Sequence, residues 1–338
     1  MSIAQPLKIL AIQFKYFGDT AVVIPALRAI RQRHPDCGLH VLTPEQTAPL
    51  LQHLPWLTRV WPMPRIRGRA NFRQTWPMIR ALRAQRFDRS VDFAGNDRGA
   101  IVSWLCGAPE RLGVFYPGGF VGRRFCYTQR VAAAPADRHE TLRLIHVLSA
   151  WQIAAPGSAE IELHPDPALA DWAARLLPAP RILCHLTASQ PNRQWPLSHW
   201  VALHRMAAAS GEQLLFSAGD GARERSLFDE MQRLAPDVAL LPPLPLAAFL
   251  AVLKRAKAFV SGDTGPMHFA AGLGVPSIAL FGPSSAARWG PTGRGHQVMT
   301  GGVCACGPSA NVCSNARHCL AAITPEAVFL ALKRITVC

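Results

Sequence analysis

The chain has no run of about 18 apolar residues, the length a bilayer-spanning helix needs, so no transmembrane helix is expected. Its opening residues, Met1 to Lys8, carry no basic segment followed by a long apolar one, which speaks against a secretory leader. Acidic residues are scarce: 21 Asp and Glu stand against 36 Lys and Arg, a formal net charge of +15. Charged residues make up only 17% of the chain against 49% hydrophobic ones, which excludes wholesale disorder and leaves ample material for packed cores. A zinc-finger spacing, an RNP-type strand and a basic helical arm are all missing, so no specific nucleic-acid partner is expected. The charge instead favours an anionic partner: a nucleotide, a phosphorylated glycolipid or a membrane surface. A compositional bias towards arginine gives the same charge without any partner. The expectation is a cytoplasmic protein, peripheral on a membrane.

What is present is a repeated alternation of short apolar runs and helical patterns over 338 residues, enough for two domains. Leu7 to Phe14 has the near-continuous apolar character of a parallel strand buried on both faces. Lys15-Tyr-Phe-Gly18-Asp19-Thr20 turns the chain into a helix over Ala21 to Arg33, and Leu39 to Leu42 is the next strand. Helices are expected over Pro44 to His53, Phe72 to Gln85, Arg98 to Leu105 and His139 to Trp151. Strands are expected over Arg59 to Trp61, Asp88 to Phe93 and Arg111 to Val114, with basic loops at Arg65 to Arg69 and Gly118 to Arg124. Ala154-Ala-Pro156-Gly157-Ser158 interrupts the pattern and suggests domains of 1–157 and 158–338. The second half repeats the alternation, including a helix capped by Ser198, a strand from Ala256 to Val260, and a last helix capped by Thr324. Two such halves imply an α/β fold of two Rossmann-like, doubly wound parallel sheets facing a central cleft. Ligands in such sheets bind at the carboxyl edge of the strands.

The most telling stretch follows the strand at Val260. Gly262-Asp263-Thr264-Gly265 breaks the strand, Pro266 suits the first turn of a helix, and Gly274-Val275-Pro276 ends that helix. A strand, tight loop and helix in this order present free N–H groups and a positive dipole end, a ready site for the diphosphate of an activated donor.

Four segments in order resemble glycosyltransferase family 9, which contains the bacterial lipopolysaccharide heptosyltransferases. They are Gly18-Asp19 with Pro25-Ala-Leu-Arg28; His185-Leu-Thr187-Ala-Ser189 with Arg193-Gln-Trp195-Pro196; Gly262 to His268; and Ala279-Leu-Phe281-Gly282-Pro283 with Arg288-Trp289-Gly290-Pro291. The stretch Asp92 to Ala100 also looks like its counterpart in type III heptosyltransferases. The resemblance implies a GT-B arrangement whose amino-terminal domain binds the acceptor and whose carboxyl-terminal domain binds the nucleotide sugar. The last helix, about 324–335, would pack back on the amino-terminal domain. It implies inverting transfer of heptose from ADP-heptose to the phosphorylated lipopolysaccharide inner core, at the cytoplasmic face of the inner membrane, by a monomer. No cofactor and no catalytic metal are implied. A sibling transferase using another nucleotide sugar, and a sugar-nucleotide-binding protein without turnover, are the alternatives.

Inverting transfer needs a base for the acceptor hydroxyl. Asp19 matches the family's base position; read from the turn alone, it serves equally as a helix N-cap. With no metal, cations and N–H groups must stabilise the leaving diphosphate. Arg193 stands where the family often has lysine, and its fork can bind two phosphate oxygens; a solvated loop arginine is the other reading. Thr187 and Ser189 could add hydroxyl contacts, Thr264 and Gly265 N–H groups, and His268 a donor unless it is a satisfied core histidine. Asp263 would repel phosphate, and so orients the loop, a sugar hydroxyl or His268. His185 reads as structural. Asp220 and Glu224 could bind ribose hydroxyls or simply suit a helix start. Gln13 replaces a residue that is often basic in the family; strand alternation would point Lys15 the same way. Lys15, Arg65, Arg67, Arg69, Arg123 and Arg124 suit an anionic acceptor and membrane face, or are solvated. Cys304, Cys306, Cys313 and Cys319 are structural thiols, a zinc site or a disulfide pair, the last disfavoured by cytosolic reducing conditions. Cys37, Cys106, Cys126 and Cys184 are scattered as core fillers, and Cys338 ends the chain.

Overall fold

The computed structural model describes residues 6–64, 72–116, 118–302 and 319–336. The chain forms two compact units, Met1–His164 and Pro165–Cys338.

In the first unit the elements run β1 (Lys8–Ile12), α1 (Phe17–Val22), α2 (Ile24–Arg33), β2 (Gly38–Pro44), β3 (Arg59–Met63), α3 (Phe72–Ala84), β4 (Arg89–Asp92), α4 (Asp97–Leu105), β5 (Glu110–Phe115), β6 (Gln129–Ala132) and α5 (Glu140–Val147). The second unit runs α6 (Ala170–Leu176), β7 (Ile182–His185), α7 (Leu197–Ala209), β8 (Leu214–Ser217), α8 (Ala222–Leu234), β9 (Ala239–Leu240), α9 (Leu246–Lys254), β10 (Ala258–Gly262), α10 (Gly265–Gly272), β11 (Ser277–Phe281), α11 (Ala286–Trp289), β12 (His296–Thr300) and α12 (Pro325–Thr336).

Each unit holds one six-stranded sheet, in the orders β3-β2-β1-β4-β5-β6 and β12-β11-β10-β7-β8-β9. Every pairing is parallel. Numbered within its own unit, the second order is the first repeated. Each sheet therefore has a switch point where the strand order reverses, between β1 and β4 and between β7 and β10, and the loops leaving those carboxyl ends form the ligand crevice of such a fold. Central strands are largely buried because helices cover both faces; β7, β8, β10 and β11 are buried along their whole length. Trp195, Trp200 and Phe216 lie edge-to-face in the second core, and Val328, Ala331 and Leu332 bring α12 onto the same cluster. α12 packs on α7, β10 and β11 of its own unit.

Several expectations need correction. The single helix over Ala21 to Arg33 is two, α1 and α2, with the break at Val23. Pro25 has no N–H to offer the carbonyl four residues back, so a new helix opens with proline in its first turn. Pro49 likewise reduces the helix at Pro44 to His53 to a 3-10 segment, Glu45–Leu50. Ser198 lies inside α7, whose N-cap is Pro196, whereas Thr324 accepts from the Ala327 N–H at 3.3 Å as a cap should. β6 and β12 have no counterpart in the sequence reading because both are half-exposed sheet edges with few apolar residues.

Candidate active site

At the first switch point β1 ends at Ile12, paired in register with Asp92 of β4. Asp19 is the third residue of α1. The N-cap position belongs to Tyr16, so Asp19 is not the cap. Gln13, buried at the end of the strand, donates from Nε2 to the Asp19 carbonyl at 3.2 Å and pins α1 to the sheet. Lys15 reaches the Asp19 carboxylate at 4.0 Å. Strand alternation does not place it there, since the pleat stops before it; the loop does. Burial pushes the Asp19 carboxyl above its ordinary value, Lys15 opposes the shift, and the nearby Glu140 charge adds to it. The side chain keeps 19% of its surface. It is a carboxylate made more basic by burial yet still accessible, the combination a general base needs.

Beside it lies a network built on Asp92 and Asn96, both in the stretch Asp92 to Ala100, whose pairing has no signature in the sequence. The Asp92 side chain is fully buried; its Oδ1 accepts from the Ala94 N–H at 2.9 Å and its Oδ2 from the Tyr127 hydroxyl at 2.5 Å. Asn96 caps α4 through the Gly99 N–H and donates to the Phe14 carbonyl at 3.3 Å, tying the β4 loop to the loop that carries Lys15. Burial raises Asp92 to about 6, against the pull of the Tyr127 hydroxyl and two backbone N–H groups. A carboxyl whose folded pKa lies above its unfolded one binds protons more tightly when folded, so its contribution to stability falls as pH rises from about 4 to about 6. The size is of order 3 kcal/mol. Thermal melts between pH 4 and 7 should show a shallower decline in Asp92→Asn than in the wild type, the Asp19 and Asp263 carboxyls contributing to both; parallel curves would remove the assignment.

At the second switch point Ser261 of β10 lies in register with His185 of β7. Arg193 ends a 3-10 turn, Pro191–Arg193, in the loop after β7. Its Nη1 donates to Asp263 Oδ2 at 3.0 Å. Asp263 is 6% exposed, and burial raises its pKa while the Ser284 hydroxyl and Arg193 hold it down. This pair is what the sequence reading lacked: Asp263 orients Arg193, 70 residues away in the chain. The Arg193 Nε is buried without a hydrogen-bond partner, so the guanidinium keeps donor capacity beyond its tie to Asp263. Gly262 is required by closeness alone: a Cβ there would lie 2.6 Å from the Arg193 carbonyl oxygen. Gly262→Ala should therefore displace the Arg193 turn and cost about 1–3 kcal/mol. Thermal melting checks this; an unchanged midpoint would show that the contact is not needed.

Thr264 is the extended N-cap of α10, without a side-chain cap bond, and Gly265 opens the helix. His268 is buried in the first turn and lies edge-on to Trp289 at 6.5 Å. Thr187 is buried, and its hydroxyl is spent internally: it accepts from the Gly219 N–H at 3.1 Å and meets His185 Nε2 at 3.2 Å, while His185 Nδ1 meets Ser217 at 3.0 Å. Burial lowers His185 to about 4, so it is neutral and structural. Ser189 is exposed in the same loop as Arg193. Asp220 is exposed after β8, and Glu224 sits in the first turn of α8, folded back against Gly219 and Gly221.

The arginines of the first unit divide. Arg123 is not a solvated or ligand-facing side chain: it is buried, donates to the Gly95 and Tyr116 carbonyls, and pairs with Asp97 at 3.3 Å. Arg124 instead stacks on the Phe125 ring at 4.7 Å. Arg65, Arg67, Arg69, Cys304, Cys306 and Cys313 lie outside the described residues, and Cys319 begins a short 3-10 segment. No group of three His, Cys, Asp or Glu side chains suited to a metal ion occurs among the described residues.

The family model for glycosyltransferase family 9 (heptosyltransferase) matches residues 75–319. Lipopolysaccharide heptosyltransferase 2 of Escherichia coli (strain K12) is 25% identical over 315 residues, covering 82% of this chain and 84% of that protein. Lipopolysaccharide heptosyltransferase 1 of Pseudomonas aeruginosa is 35% identical over 117 residues, covering 35% of this chain and 32% of that protein. In fold, the chain superposes on the crystal structure of the glycosyl transferase family 9 from Veillonella parvula DSM 2008 with a TM-score of 0.82 at 17% identity, covering 98% and 97% of the two chains. It superposes on E. coli ADP-heptose lps heptosyltransferase II with a TM-score of 0.79 at 21% identity, covering 98% and 99%. The two repeated parallel sheets are thus the GT-B architecture, and this chain belongs to glycosyltransferase family 9, the heptosyltransferase family, as a glycosyltransferase.

Proposed function

We propose that this enzyme transfers heptose from ADP-heptose to the phosphorylated inner core of lipopolysaccharide, with inversion and without a metal in the chemical step. The observation that carries the reading is the Arg193 guanidinium, held at 3.0 Å by buried Asp263 beside the first turn of α10. A fixed, partly exposed cation next to helix N–H groups suits the growing charge of a departing nucleoside diphosphate. The relatives' names support heptose as the sugar, and one solved neighbour is the E. coli heptosyltransferase with ADP-2-deoxy-2-fluoro heptose.

In this reading Asp19 takes the proton of the acceptor hydroxyl as its oxygen attacks the anomeric carbon. Arg193, Thr264, Gly265 and Ser189 meet the diphosphate, with His268 behind them in the first turn of α10. Asp263, Thr187 and Gln13 act as positioning residues. Asp220, exposed after β8, is the group for the ribose hydroxyls, with Glu224 shaping its loop. The first unit takes the acceptor and the second the nucleotide sugar. The active species is a monomer, working at the cytoplasmic face of the inner membrane. No helix among the described residues is long and apolar enough to cross a membrane.

The test is a single-turnover assay with ADP-heptose and heptose-deficient lipopolysaccharide core, read by mass of the product. One heptose added, at a rate unchanged by a chelator, is the expected result. Transfer only from another nucleotide sugar, or donor binding without transfer, would overturn it.

A further inference from the structure

Exposed aromatic side chains are distributed unevenly. Among the described residues Tyr16, Phe17, Trp76, Trp104, Phe115, Phe120 and Phe125 are all in the first unit, and the large hydrophobics exposed in the second are Leu176, Val298 and Leu330. Part of this surface gathers on one turn. Gly122 has a left-handed φ of 101°, and the space beside its Cα meets the rings of both Phe120 and Phe125 at 3.9 Å. Between them Val121 is fully exposed, and Phe125 keeps 69% of its surface. Arg124 lies over the Phe125 ring, a cation at the rim of an apolar tip. The turn is anchored from below: buried Arg123 binds Gly95, Tyr116 and Asp97, and the Phe120 N–H donates to Asp97 at 3.3 Å. It packs on α4. Asp97 starts the helix after β4, so the tip stands at the carboxyl edge of the sheet that carries Asp19.

We propose that the tip Phe120-Val121-Phe125, rimmed by Arg124, inserts into an anionic lipid surface and seats the first unit on it. The inference rests on the reading of the acceptor as a lipid-anchored phosphorylated glycan. Aromatic rings and a valine held out on a braced turn match the interfacial zone of a bilayer, where an apolar body and a cationic rim are both satisfied. The charge is complementary as well, since a chain of net charge +15 is drawn to an anionic headgroup layer. A soluble surface gains nothing from leaving so many large apolar groups together in water.

The experiment is flotation of the full chain with phosphatidylcholine vesicles, with and without phosphatidylglycerol. Wild type should partition onto the anionic vesicles and be released by salt. The variant Phe120→Ser/Val121→Ser/Phe125→Ser should bind about tenfold more weakly or worse. The single Val121→Ser should weaken binding measurably while melting with the wild type. Transfer to a water-soluble, lipid-free core acceptor should be the same in all three proteins. That arm separates the two ideas: no transfer by wild type would sink the donor and acceptor assignment and leave the vesicle result standing. The insertion proposal fails if wild type ignores anionic vesicles or if the triple variant binds them as well as wild type. It fails equally if the substitutions only convert a wild-type dimer to a monomer, which would give the tip to a second copy of the chain.

Discussion

Asp19→Asn should lower the rate of transfer by about 10²–10⁴-fold, the usual worth of a positioned base, while ADP-heptose binding stays near the wild-type value. The substitution keeps the shape of the side chain and the backbone carbonyl that Gln13 grips at 3.2 Å, so the loop should hold its place. What is lost is the proton-accepting charge. The pH dependence supplies a second, independent check. Burial raises the Asp19 pKa and Lys15 pulls it back down. Activity should therefore fall as pH drops through that raised pKa, because the protonated carboxyl cannot accept a proton. Lys15→Met removes the stabilising cation and should move this acid limb to higher pH, without abolishing turnover. An Asp19→Asn enzyme that turns over normally would refute the mechanism; an acid limb unmoved in Lys15→Met would mean that another group sets it.

Asp263→Asn should lower kcat/KM by one to two orders of magnitude although Asp263 is not assigned a contact to the donor, because Arg193 would lose the partner that aims it. Arg193→Ala should cost about 10²–10³-fold, the scale found when one donor to a developing anion is removed. Because the two side chains act as a unit, the double substitution should cost less than the two single effects added together, with a coupling of about 0.5–3 kcal/mol. Arg193→Ala also leaves a buried carboxylate without its cation, a loss of about 3 kcal/mol at neutral pH. Its sign can be tested. The folded-state pKa of Asp263 is already raised, and losing Arg193 raises it further. The variant should therefore be most destabilised at high pH and recover as the carboxyl protonates on acidification. Additive effects of the two substitutions on kcat/KM would show that Asp263 does something other than hold Arg193.

Much of the architecture was legible in the residues. Leu7 to Phe14 and Ala256 to Val260 announce buried parallel strands, and Gly262 to Pro266 announces a strand-to-helix turn, because apolar periodicity and turn chemistry act over a few neighbouring residues. The short edges were not legible: β6 and β12 are half in water and carry almost no apolar pattern. Arg123 was misread for a related reason. An arginine in a glycine-rich loop looks solvated from its neighbours, and only the fold brings the carbonyls of Gly95 and Tyr116 around it.

The loop Gly262 to His268 shows where the division falls. The amino-acid order alone settles that a strand ends there, that a helix with free N–H groups begins, and that an anion is a suitable occupant. It does not say what the acidic residue in that loop is for. The partner of Asp263 lies in the loop after β7, which becomes its neighbour only because β7 and β10 are adjacent across the switch point. The same holds for Asp92, whose hydrogen-bonding partner Tyr127 is 35 residues away beyond β5. Local patterns encode the elements, whereas pairing of buried polar groups follows strand order and register, and these are decided when the whole sheet assembles.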